Sequence, residues 1–89
     1  MKLTHDAAAM IHNMVEQKAL PASAGLRIAP REDHEALAMS LVDGADPGDV
    51  VILGQDAQVF LAPVADARLT EQTLDARTNE AGSAFFVQP

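Results

Sequence analysis

The stretch from Asp43 to Pro63, DGADPGDVVILGQDAQVFLAP, constrains the fold most, because it spells out two strands and the turns that delimit them. Asp46-Pro47-Gly48-Asp49 is turn chemistry: proline presets φ, glycine tolerates φ > 0, and aspartate bonds to nearby backbone. Val50, Val51, Ile52 and Leu53 then form an unbroken run of β-preferring apolar residues, the pattern of a strand covered on both faces. Gly54-Gln55-Asp56 turns the chain back, and Val59-Phe60-Leu61 returns as a second strand that Pro63 stops. The hairpin is expected at the centre of the core, so Val51→Asp is expected to unfold the chain.

Eighty-nine residues hold enough buried volume for a single domain spanning 1–89. Three aromatic residues, all phenylalanine, leave each buried position contributing little area, so stability is expected to lean on a partner subunit. A formal net charge of −7 supplies no basic stripe for phosphates, which argues against nucleic acid or an anionic membrane as ligand. There is no cysteine, hence no disulfide, thiolate metal site or thiol nucleophile, as suits a reducing compartment. Met1 to Thr4 lack a basic segment followed by an apolar one. No apolar run approaches the roughly 20 residues that span a bilayer. The expected location is the cytoplasm.

Thr4 is placed to cap a helix, with Asp6 suited to the positive end of its dipole. Ala7, Ala8, Ile11, Met14 and Val15 follow helical spacing and predict an amphipathic helix that ends near Lys18 to Leu20, before Pro21. Leu26 and Ile28 alternate with Arg27 and Ala29 in a short strand closed by Pro30. After the charged segment Arg31-Glu32-Asp33-His34-Glu35, Leu37, Met39 and Leu41 alternate with Ala38, Ser40 and Val42, the mark of a half-buried strand. These two strands predict a hairpin with the charges at its tip. Pro63 opens a helical turn to Leu69. Leu74, Ala76 and Thr78 alternate in another strand, and Asn79 to Gly82 turn into Ala84-Phe85-Phe86-Val87. One helix followed by about six short strands, with a helical turn between the fourth and fifth, argues against a parallel βαβ fold.

In this order the residues resemble the HesB-like family, which contains the A-type iron-sulfur cluster carriers. The resemblance rests on Leu3-Thr4 with Ala7-Ala8, on Ala24-Gly25-Leu26-Arg27-Ile28, and on Gly48-Asp49-Val50-Val51. It continues through Val59-Phe60-Leu61 with Pro63, Leu69, Leu74-Asp75, and Gly82 with Phe85. It implies a small α+β domain, with an N-terminal helix packed on a buckled, barrel-like sheet of about six to seven short strands. It also implies three cysteine ligands for iron or a cluster: one in the loop after the Gly-Leu-Arg strand, two in a tail beyond the last strand. Here that loop is Arg31 to Glu35, and no cysteine occurs anywhere up to Pro89. Thiolates are the soft ligands a cluster needs, so no functional residue carries over from the family.

His34 stands in the loop where the resemblance places the first cysteine, beside Glu32, Asp33 and Glu35. An imidazole among carboxylates is a candidate divalent-metal site. A solvated hairpin tip accounts for the same charges more simply. His12 and Glu16 lie i, i+4 on the helix, but His5 and His12 are about 10.5 Å apart along the axis, too far to share one ion. Asp43, Asp46 and Asp49 lack the spacing of an EF-hand and are read as turn formers. Phe85 and Phe86 point to opposite strand faces, so one enters the core and Phe86 is a candidate partner patch, unless a second covering layer buries it.

No nucleophile elbow, phosphate loop or zinc-binding helix motif occurs, and the chain is expected not to be an enzyme. The expected function is a HesB-like binding or interaction module without a cofactor, engaging a protein partner or a second copy of itself. The alternative is a role in iron-sulfur biogenesis, through iron held by His and carboxylates or by pairing with a cysteine-bearing carrier.

Overall fold

A computed structural model describes residues 1–33 and 36–89. Thr4 does cap the first helix, α1 (His5–Gln17), its hydroxyl accepting from the Ala7 N–H at 3.1 Å. Lys2–Leu3 just before it is a short strand, β1, too brief to show in the sequence pattern. Helix α1 ends where Pro21 and its neighbours suggested: Leu20 N–H bonds Val15 C=O and Ala19 N–H bonds Glu16 C=O, a Schellman closure. Ala7, Ala8 and Ile11 are buried, with Met10 and Val15 packed against the same core. Met14 lies to the side and lines a surface cleft.

The remaining elements are β2 (Gly25–Pro30), β3 (Leu37–Val42), β4 (Val50–Gly54), β5 (Ala57–Leu61), α2 (Pro63–Leu69), β6 (Thr73–Asn79) and β7 (Gly82–Gln88). The predicted hairpins β2–β3, β4–β5 and β6–β7 all form, in antiparallel register. Pro63 opens α2 as expected. Gly48, in the turn before β4, has φ +87°, the positive value its place in Asp-Pro-Gly-Asp called for.

The fold is α+β. The strands divide between a four-stranded sheet, β3-β2-β5-β4, and a three-stranded sheet, β1-β6-β7, neither closed on itself. Two pairings are parallel, β2 with β5 and β1 with β6, each between strands far apart in sequence. Ile11, Leu26, Ile28, Val59, Leu61 and Leu74 meet between the sheets and α1, and Ala65 and Leu69 of α2 complete that core. Leu37 and Leu41 of β3 pack against it, whereas Met39 between them is exposed.

The Val50–Leu53 run departs from its expected burial. Strand β5 is the inner strand: Val59 and Leu61 are fully buried and Phe60 is 2% exposed. Strand β4 is the sheet's edge, paired only with β5 among the described residues, and Val51 and Leu53 are 44% and 75% exposed. Only Ile52 packs inward. An edge strand takes cover from one neighbour, so apolar composition along β4 did not translate into burial on both faces.

Candidate functional site

The β2–β3 tip carries the candidate metal residues. Arg31 N–H bonds Ala36 C=O at 2.9 Å and closes the loop, and Glu32 and Asp33 are exposed. His34 and Glu35 lie outside the described residues. No group of three or more His, Cys, Asp or Glu side chains able to hold a metal occurs among the described residues. The donor chemistry of the whole sequence, carboxylates and imidazoles with no thiolate, does not fit an iron-sulfur cluster.

On α1, His12 lies between two acceptors, Nδ1 3.2 Å from the Asp56 carbonyl oxygen and Nε2 3.2 Å from the Glu16 carboxylate. It bridges the helix to the β4–β5 turn, and His5 is exposed away from it. Beside it a groove of about 550 Å³ runs between α1 and the β4–β5 hairpin, floored by Ile11, Val15, Leu20 and Ala57 and edged by Leu53.

Phe85 packs against the core, and Phe86 is half-buried with the Arg77 guanidinium 5.2 Å from its ring centroid. Both rings line a cleft of about 1050 Å³ between α1 and the β6–β7 hairpin, together with Asp6, Met10 and Met14. Phe86 is therefore a shared wall of cation and ring, a neighbourhood that strand alternation alone did not predict.

Two carboxylates organise these surfaces: Asp49, a turn former as the sequence suggested but also the unforeseen partner of Arg27, and Asp75, whose partners the sequence did not announce. Asp49 accepts from Arg27 through both of its oxygens and from the Asp46 N–H, fixing the β3–β4 loop to β2. The Arg27 bonds hold its carboxyl below the usual range, against the opposing effect of burial. Asp75 accepts from the Thr4 hydroxyl at 2.6 Å and from Gln88, tying the start of α1 to β6 and β7. Thr4, then the Ala76 N–H, hold its carboxyl low as well. Arg27 and Asp49 are 22 residues apart and Thr4 and Asp75 are 71 apart, so no local pattern joins them.

The fold is similar to Escherichia coli SufA, involved in biosynthesis of iron-sulfur clusters, with a TM-score of 0.82 at 19% identity over 98% of this chain and 77% of SufA. A structure of IscA with the 2Fe-2S cluster matches with a TM-score of 0.67 at 18% identity, covering 98% of this chain and 82% of that one. A solution structure of an Aquifex aeolicus protein matches with a TM-score of 0.72 at 18% identity, covering all of this chain and 90% of the other. No family model and no curated protein matches the sequence itself. Chain order, hairpin register and superposition converge, and the protein has the HesB-like α+β fold of SufA and IscA.

Proposed function

We propose that this chain is a non-catalytic binding module working beside iron-sulfur cluster assembly, engaging a protein partner and carrying no cluster on ligands of its own. The observation that carries the reading is a carrier-like fold, close to SufA over 98% of the chain, on a sequence with no cysteine. The resemblance puts a ligand in the loop after β2, and here that loop is Arg31-Glu32-Asp33-His34-Glu35. Hard carboxylates and an imidazole suit iron or another divalent ion far better than a sulfide cluster. The fold then serves as a recognition surface, and the reducing cytoplasm, where assembly partners keep free thiols, is its place of action. No helix among the described residues is long and apolar enough to cross a membrane.

Anaerobic reconstitution with ferrous iron and sulfide, followed by desalting, a visible absorption spectrum and metal analysis, tests the proposal. The expected product is colourless and free of iron. A cluster chromophore at stoichiometric iron overturns it. Stoichiometric iron without a chromophore, lost in His34→Ala, favours instead the reading in which the β2–β3 tip holds iron for assembly.

A further inference from the structure

The outer edge of β4 is an open hydrogen-bonding edge. Gly54 and Ala57 close the two-residue Gln55-Asp56 turn, and the register pairs Ile52 with Val59 and Val50 with Leu61. In an antiparallel ladder hydrogen-bonded and non-hydrogen-bonded pairs alternate. The pair closing a two-residue hairpin is hydrogen-bonded, so Val50, Ile52 and Gly54 aim their backbone groups at β5. Val51 and Leu53 aim theirs outward. No further backbone hydrogen bond engages 50–54 among the described residues. The same two residues carry the most exposed apolar side chains of the strand, and β4 has no lysine, proline or bulge to blunt it.

Charge decides what such an edge accepts. Strand β4 is itself uncharged, but carboxylates bracket it. At its start Asp46 and Asp49 outnumber the single Arg27 that they share. At its end lies the exposed Asp56, whose backbone carbonyl meets His12, with the exposed Glu16 carboxylate on the other side of that ring. Five residues separate the two ends by about 17 Å, roughly twice the Debye length of about 8 Å at physiological salt, so each end acts on the nearest part of a partner. A second copy pairing antiparallel sets Asp46 of one chain near Asp56 of the other, and pairing parallel sets like carboxylates side by side. Both arrangements repel. We infer that β4 binds, by strand addition, an extended segment of another protein whose apolar residues alternate along a centre of about five residues and whose two flanks are basic. Leu53 and Gly54 also edge the apolar groove beside α1, which receives a side chain from whichever end of the docked segment lies beside them. The inference rests on the binding-module reading and names the class of its partner.

The probe is a labelled, end-capped peptide, Lys-Lys-Val-Thr-Val-Thr-Val-Lys-Lys, titrated by fluorescence anisotropy, with its binding site mapped by amide exchange on the full chain. Binding is expected to weaken with salt and to protect the Val51 and Leu53 amides. The same peptide with glutamate for every lysine is expected to bind at least about ten-fold more weakly. Leu53→Pro deletes an outward N–H without touching the β5 ladder, and is expected to abolish binding while thermal unfolding stays within a few degrees. If that variant does not fold, Leu53→Lys, which puts a like charge on the edge, is expected to show the same loss. Equal affinity for both peptides, protection elsewhere, no binding at millimolar peptide, or a dimer of the free chain that Leu53→Lys dissociates each overturns the inference. The iron reconstitution above reads an independent property, so failure of one test leaves the other standing.

Discussion

Arg27 holds Asp49 in a two-pronged grip, Nε to Oδ2 at 2.8 Å and Nη2 to Oδ1 at 3.0 Å, across the gap between β2 and the loop that delivers β4. The Asp49 side chain is 1% exposed and Arg27 23%, so the acid is enclosed while the base keeps access to water. Arg27 stands in register with Phe60 on β5, and Gly25 leaves room for that ring: a Cβ there would sit 3.0 Å from it and 2.5 Å from the Gln58 carbonyl. The pair thus fastens the β3–β4 loop above the inner strand.

Asp49→Ala is expected to destabilise the chain by about 2 kcal/mol, the scale of hydrogen bonds to a charged group. The loss stays below the 3–5 kcal/mol typical of a stranded buried charge, because the guanidinium keeps Asp46 at 3.5 Å and access to water. Urea unfolding of Asp49→Ala and Arg27→Ala, with the double variant closing the cycle, checks this. A coupling energy near zero would show that the grip adds nothing to stability.

Acid should unfold the protein through the same groups. Asp49 and Asp75 both have folded pKa values below the ordinary aspartate value of about 3.9. A depressed carboxyl binds fewer protons in the folded chain than in the unfolded one, so its stabilisation is complete above the unfolded value. It is lost as pH falls through the folded value. The urea midpoint is therefore expected to decline from about pH 4 downward, with a shallower decline in Asp49→Asn, measured by circular dichroism.

Val51→Asp is expected to leave the chain folded, with stability changed by less than about 1 kcal/mol, because the side chain is 44% exposed on an edge strand. Phe60→Ala, directly opposite it in register, is expected to cost about 3–5 kcal/mol by opening a cavity. Thermal melts of the two variants make the comparison. An unfolded Val51→Asp would return β4 to the core.

That contrast marks where the sequence was legible and where it was not. Turns and caps are local chemistry, so Thr4, Pro47-Gly48 and Pro63 announced the elements they delimit. The Leu26/Ile28 alternation placed β2 facing the core for the same reason, one element at a time. Strand order is not local. Val50-Val51-Ile52-Leu53 reads identically on an edge or in a centre, and only the parallel insertion of β5 between β2 and β4 made it an edge. The carboxylates followed suit. Asp49 looked like one turn former among three, and its enclosure depends on an arginine brought to it by β2. At the proposed docking edge the apolar run was visible in the sequence, but its outward backbone groups follow from register alone.

Ala19 offers a last measurement, since its left-handed φ of +52° occupies the position after the α1 cap that glycine usually fills in a Schellman closure. A Cβ in that region costs about 1–2 kcal/mol. Removing it by Ala19→Gly relieves this strain but loosens the unfolded chain, which offsets about 0.5–1 kcal/mol. The difference favours glycine. Ala19→Gly is expected to raise stability by about 0.5 kcal/mol or more, read as a shift in the urea midpoint at unchanged slope. Ala9→Gly, an interior position of the same helix, should move the other way, because there the backbone is right-handed and the entropy of glycine acts unopposed.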